Sequence, residues 1–239
     1  MNSLFDISGK VAVVTGGAGT LGSSISESLA SHGVKVVVLG RDLNNVRQEA
    51  EKIESMGGQA LPVSADVMDI EQLNSAEKQI TNHWGRIDIL VNTAGGNIPG
   101  ATIGTDQSIF DMNLEDYKKV VDLNLNGTVF PCLVFGKSMA NTGSGSIINL
   151  SSMSTFSALT RVPGYSMAKS GIEIFTKWLA MELALKFSEK IRVNCIAPGF
   201  FLAKQNRHVL LNEDGTYTLR ALSVINKTPM KRFGKMEEL

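Results

Sequence analysis

The sequence predicts an α/β fold built on one doubly wound parallel sheet, and three observations carry that expectation. Short apolar runs rich in β-branched residues recur at 11–14, 34–39, 60–63, 87–91, 147–150 and 191–196. They are apolar throughout rather than alternating, as strands covered on both faces are. Between them, apolar residues take helical spacing at 21–31, 43–56, 70–84, 114–140 and 164–187, so strand and helix alternate along the sequence. No repeat, low-complexity tract or linker breaks the alternation. The 239 residues, 43% of them hydrophobic, are therefore expected to form a single domain, 1–239, with a sizeable core.

Composition narrows the function classes. Lys and Arg together number 23, as do Asp and Glu, and no stretch concentrates the basic residues. Nucleic acid and anionic membrane surfaces are thus not expected as main partners. Cys132 and Cys195 lie inside apolar runs and read as buried free thiols, with no metal site expected. Residues 1–10 contain no apolar core of a signal peptide, and no apolar run reaches membrane-spanning length. A cytoplasmic location fits these features.

The first strand runs into Thr15, Gly16, Gly17, Ala18, Gly19, Thr20, Leu21 and Gly22 before the first helix. Glycines let the backbone approach a pyrophosphate, and a helix start offers N–H groups and a positive dipole end. A dinucleotide is the expected ligand; a tight turn that binds nothing is the alternative. The second strand closes on Gly40, Arg41 and Asp42. An arginine there suits the 2′-phosphate of NADP, so NAD(P) is expected with NADP favoured over NAD. Asp42 either caps the next helix or takes the ribose 2′-OH, which would restore NAD. The Gly-rich polar segment 95–112 and a segment at about 200–229, expected as a substrate loop, depart from the alternation. Both follow the carboxyl ends of strands, where open α/β sheets bind ligands.

The candidate chemistry lies beyond the fifth strand. Ser152 ends that strand, and Tyr165 and Lys169 stand four apart on the next helix, on a shared face. An ammonium about 4 Å from a phenol stabilises the phenolate by about 4 kcal/mol at an effective dielectric near 20, lowering the phenol pKa from about 10 to about 7. General acid–base catalysis is efficient there. The Ser152 hydroxyl can hydrogen-bond a substrate carbonyl or alcohol; Ser151 and Ser154 are rivals, and a turn role is the alternative for each.

With these residues the protein resembles the short-chain dehydrogenase/reductase family, a Rossmann-fold group. Further matches are Asp66-Val67 after the third strand, Asn92, Thr93, Ala94 and Gly95 after the fourth, Asn124 within 122–127, and Pro198-Gly199 after the sixth. The resemblance implies that Asp66 and Val67 lie near the adenine and that Ala94, Gly95, Pro198 and Gly199 adjoin the cofactor. It further implies that Asn92 supports the central sheet beside the cofactor and that Asn124 holds a water in a proton relay. Tyr165 would be the acid or base and Ser152 the substrate orienter, while Lys169 would also touch the nicotinamide ribose. A homo-tetramer or homo-dimer is implied as well. Two positions depart from the family pattern: Thr20 replaces the usual central glycine of the loop, with Gly19 one place earlier, and Ala203 stands where a threonine is usual.

Within the family, residues 95–102, 198–207 and 228–234 resemble the D-mannonate oxidoreductases, or fructuronate reductases, of the short-chain type, which interconvert a sugar acid and its keto form. Asn97, Gln205, Asn206 and Arg207 are the substrate candidates, since amides suit hydroxyls and an arginine binds a carboxylate bidentately. Arg207 could instead pair with an acid on a solvated lid. Other sugar or gluconate dehydrogenases, a 3-oxoacyl carrier-protein reductase and a catalytically weak nucleotide-binding regulator are the alternatives. Family members continue past the point where this sequence ends at Leu239, so it is expected to be short by roughly 25 to 35 residues. About six strands would then be present, with the usual seventh missing and assembly impaired.

Overall fold

The computed structural model of the protein describes residues 5–104, 106–157, 159, 161–203 and 206–239. Gln205 lies outside the described residues. Strands β1 (Val11–Thr15), β2 (Lys35–Gly40), β3 (Gln59–Ser64), β4 (Ile89–Asn92), β5 (Gly145–Leu150) and β6 (Ile191–Ile196) form one parallel sheet. Its order is β3-β2-β1-β4-β5-β6. The winding reverses between β1 and β4, and at such a switch point the connections diverge and leave a crevice at the carboxyl ends of the strands.

Helices α1 (Thr20–Ser31), α2 (Leu43–Ser55), α3 (Ile70–Trp84), α4 (Leu114–Thr142) and α5 (Pro163–Lys186) cover the sheet. Alternation along each strand decides which helices it meets. Val11 and Val13 of β1 pack with Leu73, Ile80, Phe135 and Leu179, from α3, α4 and α5. Ala12 and Val14 pack with Ala30, Val46 and Ile53, from α1 and α2. Continuous apolar strands are thus explained by helices on both faces, as their composition predicted.

Differences from the expected boundaries have local causes. The fourth strand begins at Ile89 rather than 87, because Asp88 turns inward to cap the sheet: its Oδ2 accepts from Val11 N at 2.9 Å. Arg86 Nη2 meets Asp88 Oδ1 at 2.5 Å and balances the buried carboxylate. Segment 95–112 contains two short 3-10 turns, Pro99–Ala101 and Ile109–Asp111. Both cysteines are free, as expected, but Cys195 is only partly buried.

Two compact units make up the structure, Met1–Ala197 and Pro198–Leu239. The second has its own small core of Leu210, Ala221, Ile225 and Phe233. Part of the segment expected as a loop is helical, in α6 (Arg207–Leu210) and α7 (Leu219–Lys227). Thr218 starts α7, its side chain accepting from Ala221 N at 3.2 Å.

Candidate active site

The loop after β1 is shaped by missing side chains. Gly16 takes φ +64°, and a Cβ there would fall 2.9 Å from Ala94 Cα. At Gly22 a Cβ would fall 2.2 Å from Gly16 O. Gly19 N closes the turn on Gly16 O at 2.8 Å. Thr20 and Leu21 open α1, so the threonine in place of the usual glycine occupies ordinary helical backbone, and the demanding positions are Gly16 and Gly22. Gly19 caps α1 with no side-chain hydrogen bond, and the first turn carries no acid. By contrast Asp42, Asp69 and Asn113 cap α2, α3 and α4 with their side chains. A helix start left without a side-chain cap beside a glycine turn fits a pyrophosphate.

At the end of β2 the Arg41 side chain is exposed, and Asp42 Oδ1 accepts from Asn44 N at 2.9 Å and Asn45 N at 3.2 Å. Of its two readings, Asp42 performs the cap. After β3, Asp66 Oδ1 accepts from Met68 N at 2.9 Å, which shapes the turn, and Val67 is buried against Gly127 of α4.

Beneath the crevice runs a buried polar network. Asn92 Nδ2 donates to Asn149 Oδ1 at 2.9 Å and to Cys132 Sγ at 3.2 Å, and Asn149 Nδ2 donates to Thr176 Oγ1 at 2.9 Å. Thr15 Oγ1 reaches Asn92 Oδ1 at 3.4 Å. Asn92 therefore joins β1, β4 and β5, and its side chain faces the sheet interior. Burial pushes the Cys132 thiol up to about 12, so it stays protonated. Ala94 N donates to Thr15 Oγ1 at 3.3 Å, tying the ends of β1 and β4 together under the glycine loop.

At the end of β5 the structure brings Ser152, Tyr165, Lys169 and Asn124 together. Ser152 Oγ accepts from Ser154 N at 3.1 Å, and the Ser152 hydroxyl interacts with the Tyr165 phenol. Lys169 Nζ lies 5.6 Å from the centre of the Tyr165 ring and donates to Leu150 O at 2.7 Å. Asn124 is fully buried; its Nδ2 donates to Gly96 O at 2.7 Å and Val120 O at 2.8 Å, and its Oδ1 accepts from Gly96 N at 3.0 Å. It thereby clamps the loop after β4. Gly95 is required here: at φ +150° a Cβ would fall 2.7 Å from Asn124 Oδ1 and 3.7 Å from Lys169 Nζ.

The electrostatics differ from the sequence expectation. Burial pushes the Tyr165 phenol above its ordinary value, with the Ser152 hydroxyl pulling the other way. Burial also lowers Lys169 to about 8. Spacing accounts only for the attraction of an ammonium at close range; the structure adds desolvation of both groups, and desolvation favours their neutral forms.

The rivals of Ser152 are otherwise engaged or enclosed. Ser151 Oγ donates to Glu173 Oε1 at 2.7 Å, and Ser154 Oγ is buried with no partner among the described residues. Asn97 Nδ2 donates to Thr102 Oγ1, which folds the amide back on its own loop. In the second unit, Pro198 and Gly199 follow β6, and Asn206 is engaged on both sides. Its Oδ1 accepts from Ala203 N at 2.8 Å and its Nδ2 donates to Phe201 O at 2.9 Å. Arg207 opens α6 with its side chain exposed. Among the described residues there is no cluster of metal-ligating side chains and no helix long and apolar enough to cross a membrane. Sequence reasoning missed Asn149 and Glu173; the latter stands one turn past Lys169, and that spacing was the available signal.

Comparison with known proteins gives the same frame. The sequence profile of the short chain dehydrogenases matches residues 10–214. The protein is 44% identical over 242 residues to the uncharacterized oxidoreductase UxuB of Bacillus subtilis, covering 98% of this chain and 86% of the relative. A 3-oxoacyl-[acyl-carrier-protein] reductase of Synechocystis is 33% identical, covering 98% and 87%. Among solved structures, a Haemophilus influenzae protein with bound NAD, provisionally named a D-mannonate oxidoreductase, superposes with a TM-score of 0.90 at 35% identity, covering 98% of this chain and 86% of that one. Sheet order, glycine turn and the Tyr165 helix fall inside the matched span, and the protein belongs to the short-chain dehydrogenase family of oxidoreductases, which act on alcohol and carbonyl groups with NAD(P).

Proposed function

We propose that the protein moves a hydride between nicotinamide and a carbonyl or alcohol carbon of a sugar acid, with D-fructuronate and D-mannonate as the leading pair. The observation that carries the reaction class is the grouping of Ser152, Tyr165 and Lys169 at the carboxyl end of β5, with Lys169 Nζ anchored on Leu150 O at 2.7 Å. Bound nicotinamide supplies the hydride or accepts it. Tyr165 Oη exchanges the proton with the substrate oxygen. Ser154 N–H already occupies a lone pair of Ser152 Oγ, so the Ser152 hydroxyl proton is free to be donated to the substrate oxygen or the phenolate. Lys169 steadies the phenolate and holds the nicotinamide ribose, while Asn124 holds the loop at Gly95 and Gly96 in place. A phenol held above its ordinary value keeps its proton at neutral pH, which suits carbonyl reduction.

The glycine turn and uncapped α1 are assigned to the pyrophosphate, Asp66 and Val67 to the adenine side, and Arg41 to a 2′-phosphate, giving a preference for NADP. The substrate reading is supported by likeness to the provisionally named D-mannonate oxidoreductase and by exposed Arg207 as a carboxylate ligand. A panel of hexuronates, aldonates and an acetoacetyl thioester, assayed separately with each coenzyme, tests both points. D-Fructuronate should give the highest kcat/KM, about tenfold better with NADPH than with NADH, as expected for one charge-assisted contact. Preference for the thioester would favour the second reading, an acyl reductase like the Synechocystis relative.

A further inference from the structure

Helix α5 meets the end of β5 through contacts one helical turn apart. Tyr165, Lys169 and Glu173 follow at four-residue spacing, so their side chains leave the helix along one stripe. Tyr165 faces Ser152, and Lys169 Nζ holds Leu150 O. One turn on, Glu173 Oε1 accepts from Ser151 Oγ at 2.7 Å and from Thr155 Oγ1 at 2.6 Å. Ser151 Oγ is farther, 3.3 Å, from its other acceptor, Lys169 O, and a carboxylate is the stronger acceptor. Thr155 N donates to Ser152 O at 3.1 Å. One carboxylate oxygen therefore grips the backbone turn on both sides of Ser152.

We infer that Glu173 is the positioning residue for Ser152: by holding Ser151 and Thr155 it fixes the 151–155 turn and with it the direction of the Ser152 hydroxyl toward Tyr165. This rests on the roles proposed above for Ser152 and Tyr165. The turn is also tied by Ser151 N to Ile196 O at 2.7 Å and by the Lys169 contact with Leu150 O, and Thr155 Oγ1 lies farther, 2.9 Å, from its other acceptor, Ser152 O, than from Glu173. Without Glu173 the Thr155 end of the turn loses its side-chain hydrogen bond to α5, and a displacement near 1 Å at a reacting group can cost about 100-fold.

The test compares Glu173→Ala, Glu173→Gln and Thr155→Val with the unaltered protein. Readouts are kcat/KM for D-fructuronate, coenzyme Kd, and the titration of Tyr165 by tyrosinate absorbance, obtained as the difference from Tyr165→Phe. Glu173→Ala should lower kcat/KM about 10- to 100-fold with coenzyme Kd within about twofold. The Tyr165 titration should move to higher pH by about half a pH unit, because the phenolate loses a donor. Glu173→Gln, which keeps an acceptor oxygen, should stay near the unaltered protein. Thr155→Val should add nothing to Glu173→Ala, as expected for members of one network.

Unchanged kcat/KM and titration in folded Glu173→Ala would overturn the inference. So would equal damage from Gln, or a loss confined to coenzyme binding or to the folded fraction. If Glu173→Ala fails to fold, Thr155→Val and Ser151→Ala each remove one donor and should show the same titration change at reduced size; no change in either overturns it. The titration needs no substrate. A protein inert toward D-fructuronate whose Tyr165 titration still follows Glu173 would sink the substrate reading and leave the positioning role standing.

Discussion

At the carboxyl end of β1 the groups available to a ligand are backbone, kept bare by Gly16, Gly19 and Gly22, whereas at the end of β5 they are side chains: Ser152, Tyr165, Lys169 and, behind them, Asn124. The first region is shaped by steric exclusion, since an added Cβ at Gly22 would lie 2.2 Å from Gly16 O. The second is shaped by burial, which moves proton affinities of Tyr165 and Lys169 in opposite directions. Adding an atom should therefore damage the β1 end, and removing one the β5 end. The quantities affected should also differ, coenzyme binding in one case and turnover in the other.

Tyr165→Phe offers the largest separation. Turnover should fall about 1,000-fold, the scale of a lost acid–base group, while coenzyme Kd measured by fluorescence quenching stays unchanged. Persistence of turnover would remove Tyr165 from the chemistry. Gly22→Ala should do the reverse, with coenzyme Kd raised about 100-fold and the protein destabilised by about 2–3 kcal/mol in urea unfolding, because the methyl meets backbone that has to move. Tight coenzyme binding by this variant would break the contrast.

Lys169→Met tests the burial side. The folded value of Lys169 lies near 8, below its ordinary 10.5, so the unfolded state binds more protons between those limits and stability rises with pH across that window. Below about pH 8 the folded protein carries the whole penalty of a desolvated ammonium. Methionine should raise stability at pH 7 by about 2 kcal/mol, a gain that fades toward pH 10.5, while turnover drops. Thermal midpoints at pH 7 and pH 10 decide it; a lower midpoint at pH 7 would show that the Leu150 hydrogen bond outweighs burial. The smallest expected effect is that of Arg41→Gln, about a tenfold rise in KM for NADPH with NADH unaffected.

The sheet and its main helices were legible because their signals are long. Fifteen residues of α3 and six of β6 fall where periodicity and apolar runs placed them. Helix α6, only four residues long, lacks enough turns to show a period, and α7 lies in a stretch whose glycine and polar residues read as loop. The site was legible where chemistry is local, as with Tyr165 and Lys169 at helical spacing. Glu173 escaped although it continues that spacing, because its partners Ser151 and Thr155 are brought to it by the fold alone. The phenol was misjudged for a related reason: charge separation can be guessed from spacing, but burial cannot.

The linked side chains of Thr15, Asn92, Asn149 and Thr176 also bear on how the sheet finds its alignment. Strands of valine, isoleucine and leucine could slide past one another by two residues and still place apolar groups on both faces. The amide-to-amide bond between Asn92 and Asn149 exists only when these residues sit side by side, as they do in the pairing of β4 with β5. A slipped pairing would leave buried amides unmatched at about 1–3 kcal/mol each. Four polar side chains beneath the crevice thus act as a vernier, reading the alignment of β1, β4 and β5 before any ligand arrives.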